Sequence, residues 1–245
     1  MAIMRSIVSA AVAGGALATA LAGCVNINAD SFSRIYSASL PERGVRTLVV
    51  KGMNGDIHAS AEDVDAIEVD ARIETNDLSA LPHDTVAVSH NGPTAVVASV
   101  CSRAQIAFWN IQNCGVDYEI HYPRSMQLSV TNVNGDVTIT GAAAAVDAAT
   151  TNGDVRVRDA SANVAAQSHE GDVTVSLASG WIGNAVAAST RFGNVRLTVP
   201  DGFRGRIRAS TVAGDIRGLS LFSSGPASVD LSTTFGDISV ERQEL

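Results

Sequence analysis

TNVNGDVTIT (Thr131–Thr140) is followed by TTNGDVRVRD (Thr150–Asp159), which writes Asn-Gly-Asp-Val a second time 18 residues on. One copy would be an ordinary β-turn, whereas recurrence at a fixed period is the signature of a repeat architecture. The recurrence continues to the end of the chain. Gly135, Gly153, Gly171, Gly193, Gly214 and Gly236 follow one another at intervals of 18, 18, 22, 21 and 22 residues. Seven positions before each glycine stand Leu128, Val146, Val164, Val186, Ile207 and Val229, and five before stand Val130, Ala148, Ala166, Ala188, Ala209 and Leu231. Three before come Asn132, Thr150, Ser168, Thr190, Thr211 and Thr233; two after come Val137, Val155, Val173, Val195, Ile216 and Ile238. The column four after reads Ile139, Val157, Val175, Leu197, Gly218, Val240, with Gly218 its one exception.

Period-2 alternation on both sides of a turn marks two short strands, each burying one face. A unit of about 20 residues cannot enclose its own apolar face, so units must stack and share a core. The expected fold is therefore all-β, a single-stranded parallel β-solenoid of 18–22-residue rungs over residues 126–245. At the usual strand separation of about 4.8 Å each column becomes a ladder running along the axis. Alanines let the two walls approach, and the Thr/Ser/Asn column is placed to satisfy backbone groups where the strand leaves its sheet. TLVVKGMNGDIHAS repeats the template around Gly55 with Leu48, Val50, Ile57 and Ala59, although Gly52 replaces the small polar residue. AIEVDARIE, DTVAVSH, TAVVASVC and VDYEIHY alternate as strands do, so residues 45–125 read as a β cap on the regular array. Glu241, Arg242 and Glu244 at the other end are expected to blunt the last open edge.

Residues 1–23 read as a signal peptide, with Arg5 before an apolar run that ends in small residues. Leu21-Ala22-Gly23-Cys24 resembles the lipobox of bacterial lipoproteins, which implies cleavage before Cys24 and a diacylglycerol on its thiol. Residues 24–44 would then be the lipidated cysteine and a tether. Val25 after the cysteine, rather than Asp, resembles lipoproteins sorted to the outer membrane. The expected location is the bacterial cell envelope, with the membrane a partner through the acyl anchor alone. Removing Cys24 from the three cysteines leaves Cys101 and Cys114, which in an oxidising compartment read as a disulfide. With 17 basic against 25 acidic residues, a net charge of −8 and one lysine (Lys51), the chain is a poor nucleic-acid binder.

The most chemical feature is the column after the glycine: Asp136, Asp154, Asp172, Asn194, Asp215 and Asp237, with Asp56 in the early copy. Stacked carboxylates can hold calcium, but Asp after Gly is also a turn residue that accepts backbone N–H groups, and the turn role is preferred. No metal or cofactor is expected, the five histidines being scattered. Arg156, Arg196 and Arg217 occupy the outward position three after the glycine. They read as a solvated face paired with the aspartates, or else as a stripe for an acidic surface glycan. Trp109, inside the Cys101–Cys114 loop, and Trp181, in a longer inter-rung loop, are candidate contact anchors. No nucleophile elbow, phosphate loop or His-acid constellation is present to support catalysis.

HYPRSMQLSVTNVNGDVTITG, followed by repeated GDV turns, resembles the bacterial putative-adhesin family of unknown function, related to the head-GIN domain. The specific part of the likeness runs from Pro123 through Gly135-Asp136-Val137 onward. It implies a β-solenoid that is secreted or lipid-anchored, and it brings no catalytic residues. The expected function is that of a non-enzymatic envelope lipoprotein, a binding or scaffold solenoid whose partner is a surface glycan or an envelope protein. The alternatives are an accessory protein inside the envelope and, with less support, a β-helix enzyme acting on polysaccharide.

Overall fold

The computed structural model describes residues 32–76, 78–101, 103–106, 109–112, 114–219 and 225–243, with the backbone alone for 103–106 and 109–112. Cys24 and the leader therefore lie outside the described residues. Two long sheets face each other. The first wall holds β1 (Phe32–Pro41), β3 (Ile57–Glu62), β4 (Ala66–Thr75), β9 (Cys114–Pro123), β11 (Val137–Thr140), β13 (Val155–Ala160), β15 (Val173–Leu177), β17 (Val195–Val199), β19 (Ile216–Arg217) and β21 (Ile238–Arg242). The second holds β2 (Thr47–Lys51), β5 (Thr85–Asn91), β6 (Thr94–Val100), β10 (Gln127–Thr131), β12 (Val146–Asn152), β14 (Val164–Glu170), β16 (Ala185–Ser189), β18 (Gly205–Ala213) and β20 (Ala227–Phe235). A separate ribbon pairs β7 (Arg103–Ile106) with β8 (Trp109–Gln112).

Each rung crosses from the second wall to the first through a tight corner, and rungs pair in parallel without slippage at the core columns. On one wall Leu48, Leu128, Val146, Val164 and Val186 stand in one row; on the other Ile57, Val137, Val155, Val173 and Val195 do. Val155, Val173, Val195 and Leu197 have no exposed surface. Burying each valine of such a row stabilises by about 1.5–3 kcal/mol, and a row wets at most at its ends. The chain is all-β with two largely parallel walls, as the columns require.

The order of rungs is not the order of the sequence. Along the stack the rungs run β6–β9, β2–β3, β10–β11, β12–β13, β14–β15, β16–β17, β20–β21 and β18–β19. At the far end the chain skips a place, builds β18–β19, and returns to insert β20–β21 beneath it. The reason is visible in the one exception to the columns. The rung with Ala209 and Gly218 inside offers the least apolar surface: Ile216 is 39 % exposed, against 0 % for Ile238. Placed last, it leaves the better-filled Val229–Leu231–Ile238–Val240 rung fully covered.

Two expectations are corrected here. Glu241 and Arg242 do not lie on the last strand of the wall, since β21 lies between β17 and β19, although the short β19 pairs only with Ile238 and Ser239, and Glu244 lies outside the described residues; on the other wall the edge strand β18 exposes Arg206 and Arg208, and charge on an edge discourages further pairing. The tether is shorter than residues 24–44, since Phe32–Pro41 pairs antiparallel with β4 along its full length. At the near end β6–β9 forms a rung of its own, covered by β5 on one wall and by β4 and β1 on the other.

The corner glycines combine two demands. Their φ angles lie between 115° and 150°, a region that favours glycine. A Cβ on Gly153 would also sit 2.2 Å from the carbonyl oxygen of Gly135 in the rung beside it. Gly153→Ala should cost about 3 kcal/mol or more in urea unfolding. Gly180→Ala, in open space with no such φ, should stay within about 0.5 kcal/mol of the parent.

Candidate functional site

The corner where the glycines stack is the most ordered polar feature of the molecule. Three columns of hydrogen bonds meet there. Side chains three residues before each glycine donate to the glycine carbonyl of the adjoining rung: Asn132 to Gly55 (2.8 Å), Thr150 to Gly135 (3.1 Å), Ser168 to Gly153 (2.8 Å) and Thr190 to Gly171 (2.8 Å). Thr233 donates to Gly193 at 2.9 Å and Thr211 to Gly236 at 3.1 Å, following spatial rather than sequence order. Asn132 sits beside Gly52, which has no side chain, and its longer amide also reaches the Gly135 carbonyl at 3.3 Å.

The aspartates form the second column. Asp117 accepts the backbone N–H of Asp56 at 2.9 Å, Asp56 that of Asp136 at 2.8 Å, and Asp136 that of Asp154 at 2.8 Å. Asp154 accepts from Asp172 and Asp172 from Asn194, both at 2.7 Å. Asn194 accepts from Asp237 at 2.9 Å, and Asp237 from Asp215 at 2.8 Å. One side-chain oxygen of each, Asp215 in the last rung excepted, thus belongs to the backbone of the next rung. Among the described residues no three or more His, Cys, Asp or Glu side chains converge as a metal site would need. Asp117 was missed in the sequence because Val116, not a glycine, stands immediately before it and the β7–β8 ribbon displaces it from the period.

The third column, immediately before the glycine, changes character along the stack. Asn54, Asn134 and Asn152 form an amide ladder with two 2.7 Å bonds. Beyond Glu170 come Phe192 and Phe235, whose rings stack 5.3 Å apart and within 3° of parallel. Arg191 lies over Phe192, and His169 meets it edge-on. The two phenylalanines are 43 residues apart, and only the displaced rung order makes them neighbours.

The arginines are placed among carboxylates. Arg156 pairs with Asp136 at 2.7 Å and with Asp154. Arg217 pairs with Asp215 at 3.0 Å and reaches Asp237 at 4.0 Å. Arg196, whose own rung carries neutral Asn194, turns to Glu241 at 3.7 Å and Ser239 at 3.5 Å. In spatial order the column reads Thr138, Arg156, Thr174, Arg196, Ser239, Arg217. Arginines therefore alternate with hydroxyls at about 10 Å, two strand spacings. Arg196 and Arg217 border a shallow depression of about 230 Å³ with Thr174, Ser239 and Asp237.

Cys101 and Cys114 are joined by a disulfide. It closes the base of the β7–β8 ribbon, which stands where the other rungs have their glycine turn. Trp109 begins β8; its side chain lies outside the described residues. Trp181 is half-buried, donates its indole N–H to the Ala162 carbonyl at 2.7 Å and packs 5.5 Å from the Phe203 ring. It plugs the loop between rungs. Among the described residues, Trp181 and the arginines Arg196 and Arg217 line separate depressions rather than one recessed site.

Asp154→Ala removes the acceptor of the Asp172 amide and should lower stability by about 1–3 kcal/mol. Asp154→Asn keeps an acceptor, as Asn194 does naturally, and should cost less than half of that in the same denaturation assay.

Burial alone would raise the Asp136 carboxyl. The Asp154 amide and the Arg156 guanidinium outweigh it and hold the group below the ordinary carboxylate range. A depressed folded value gives stability that is present above the ordinary carboxylate pKa and is lost as pH falls through the lowered one. Asp136→Asn should flatten that acid limb in a pH series of melting temperatures.

No curated protein matches the chain. Solved structures do. A putative cell adhesion protein from Clostridium sporogenes ATCC 15579 matches with TM-score 0.51 at 10% identity, over 86% of this chain and 100% of that one. A putative adhesin from Bacteroides fragilis NCTC 9343 matches with TM-score 0.42 at 17% identity, over 87% and 97% of the two chains. The family model described as Toastrack DUF4097 matches residues 28–241, and the chain belongs to that family.

Proposed function

We propose that this Toastrack protein is a non-enzymatic lipoprotein of the bacterial cell envelope, acylated on Cys24 at the outer membrane, whose rigid stack presents its walls and turn edge to a surface glycan or an envelope protein. The observation that carries the reading is the corner spine. The corner aspartates Asp136, Asp154 and Asp172 accept rung-to-rung hydrogen bonds from backbone N–H groups, a structural engagement that supports a scaffold, whereas glycan cleavage needs a carboxyl pair flanking a bound sugar. A binding role agrees with the fold shared with the putative cell adhesion protein of Clostridium sporogenes. Solenoids serve such roles by offering extended surfaces of fixed spacing.

A docking partner would find three kinds of surface along the turn edge: amides at Asn54, Asn134 and Asn152, alternating arginines and hydroxyls, and the Phe192–Phe235 pair. Aromatic rings with a neighbouring guanidinium are the commoner anchors of protein and sugar contacts. Protease added to intact cells should cut the protein if it faces outward. Full protection, with cleavage only after the outer membrane is permeabilised, would instead favour the accessory protein inside the envelope. A polysaccharide-cleaving activity abolished by one acidic substitution would replace both readings.

A further inference from the structure

The last rung, β18–β19, has a neighbour on one side only. Among the described residues β18 pairs with β20 alone and β19 with β21 alone. Its apolar residues show the missing cover: Ile207 and Ala209 are half-buried, whereas Val229 and Leu231, in the same two columns one rung in, are buried. An edge strand also presents a row of unpaired N–H and C=O groups, and β18 is nine residues long.

The corner of this rung is open in the same sense. Elsewhere along the glycine column the side chain after the glycine accepts a backbone N–H of the next rung. The glycine carbonyl accepts a hydroxyl or amide from that rung as well. Among the described residues neither bond is made at Gly214 and Asp215. The Asp215 carboxylate meets Arg217 at 3.0 Å and is otherwise open to solvent, 72% exposed. On the other wall the edge is cationic. Arg208 stands opposite Asp230 and approaches it at 3.6 Å. Arg206 is exposed, stands opposite uncharged Ser228, and has no ion-pair partner among the described residues.

We propose that this open rung docks an extended acidic segment of a partner protein, which adds to β18 as one more parallel strand. The segment places acids opposite Arg206 and Arg208, apolar residues opposite Ile207 and Ala209, and a hydroxyl opposite Thr211. Strand addition takes affinity from main-chain bonds and specificity from alternate side chains. Where the added strand turns as the other rungs do, its hydroxyl meets the Gly214 carbonyl and a backbone N–H meets Asp215. The docking site rests on the protein-binding side of the proposed function and gives that partner its chemistry. A second copy does not fit it. The near end is covered by the antiparallel strands β4, β1 and β5, so it offers no parallel rung to continue the coil. Two far ends related by a two-fold axis would set one arginine-bearing edge against another. The arginines exclude a like edge and select an acidic one.

The test uses the full chain in detergent solution and a fluorescent peptide with the sequence of Ala227–Asp237, ASVDLSTTFGD, carrying Ser228→Glu to meet Arg206. That strand already pairs in register with the inner side of β18, so it brings each column to its place. Anisotropy should show saturable binding to the parent. Arg206→Glu should keep the parent's melting temperature and weaken binding by about fivefold or more. A peptide with Ser228→Arg should reverse that order, preferring Arg206→Glu to the parent. Absence of saturable binding to the parent overturns the docking site. So does equal binding of the same residues in reverse order, or an Arg206→Glu chain that binds the matched peptide as the parent does. Crosslinking in intact cells separates this site from the broader reading. An envelope protein crosslinked equally to parent and Arg206→Glu keeps the protein-binding reading and removes the strand site. No crosslinked protein in either removes that reading and the strand site with it.

Discussion

Everything in this fold depends on one close approach: the bare Cα of each corner glycine lies against the carbonyl of the glycine in the next rung. A methyl group there would stand 2.0–2.2 Å from that oxygen at Gly135, Gly153, Gly171, Gly193, Gly214 and Gly236. The contact fixes the rung separation at the corner together with the glycine N–H groups, each of which, Gly214 in the last rung excepted, donates to a carbonyl of the neighbouring rung. Two side-chain columns then lock it from either side, a hydroxyl or amide on the glycine carbonyl and a carboxylate on the following N–H. Backbone groups at a corner would otherwise be orphaned, each at a cost of about 1–3 kcal/mol. The β6–β9 rung shows what happens without a turn glycine. Its corner is replaced by a disulfide-closed ribbon, and Asp117 still begins the carboxylate column.

The displaced rungs at the two ends answer a second problem, that of open edges. The chain's first repeat, β2–β3, is covered by the later β6–β9, and its last, β20–β21, by the earlier β18–β19. Neither terminal repeat is therefore free to fray as the end of a simple coil would be. The outermost rung is the poorest in apolar residues, with Gly218 held so close to Val240 that a Cβ would lie 1.9 Å from its carbonyl oxygen. Exposing that rung forfeits the least buried surface.

Most of this architecture was legible because stacking forces identical residue types into register. Columns of valine, threonine and glycine repeat for a reason that a reader of the sequence can reconstruct, and the corner aspartates and the Cys101–Cys114 pair were equally plain. What was not legible is what depends on order in space. Nothing local to Phe192 and Phe235 marks them as partners, because the rung that separates them in sequence leaves the intervening place. The same exchange turns Arg196-Arg217-Ser239 into Arg196-Ser239-Arg217. Gly218, the single break in its column, was the available clue. Phe32–Pro41 was missed for a different reason: a strand at the margin of a sheet, half-buried on one face only, gives the weak alternation that a tether of small and polar residues can also show.

The aspartate column invites the thought that like charges stacked at rung spacing should push the coil apart. Magnitudes decide otherwise. Two carboxylates about 4.8 Å apart in water repel by about 1 kcal/mol, while a hydrogen bond to a charged acceptor contributes about 1.5–3 kcal/mol. Every rung gains one such bond for each neighbour it repels. Arg156 and Arg217 each bridge two successive carboxylates, and neutral Asn194 breaks the run. Alternation keeps the guanidinium groups two rungs apart, so the cations do not recreate the strain they relieve. The acidic column is thus a means of holding rungs together that brings its own compensation. A face so compensated has little net field to offer a charged ligand, and recognition along it falls to shape and to the amide and aromatic side chains of the column before the glycine.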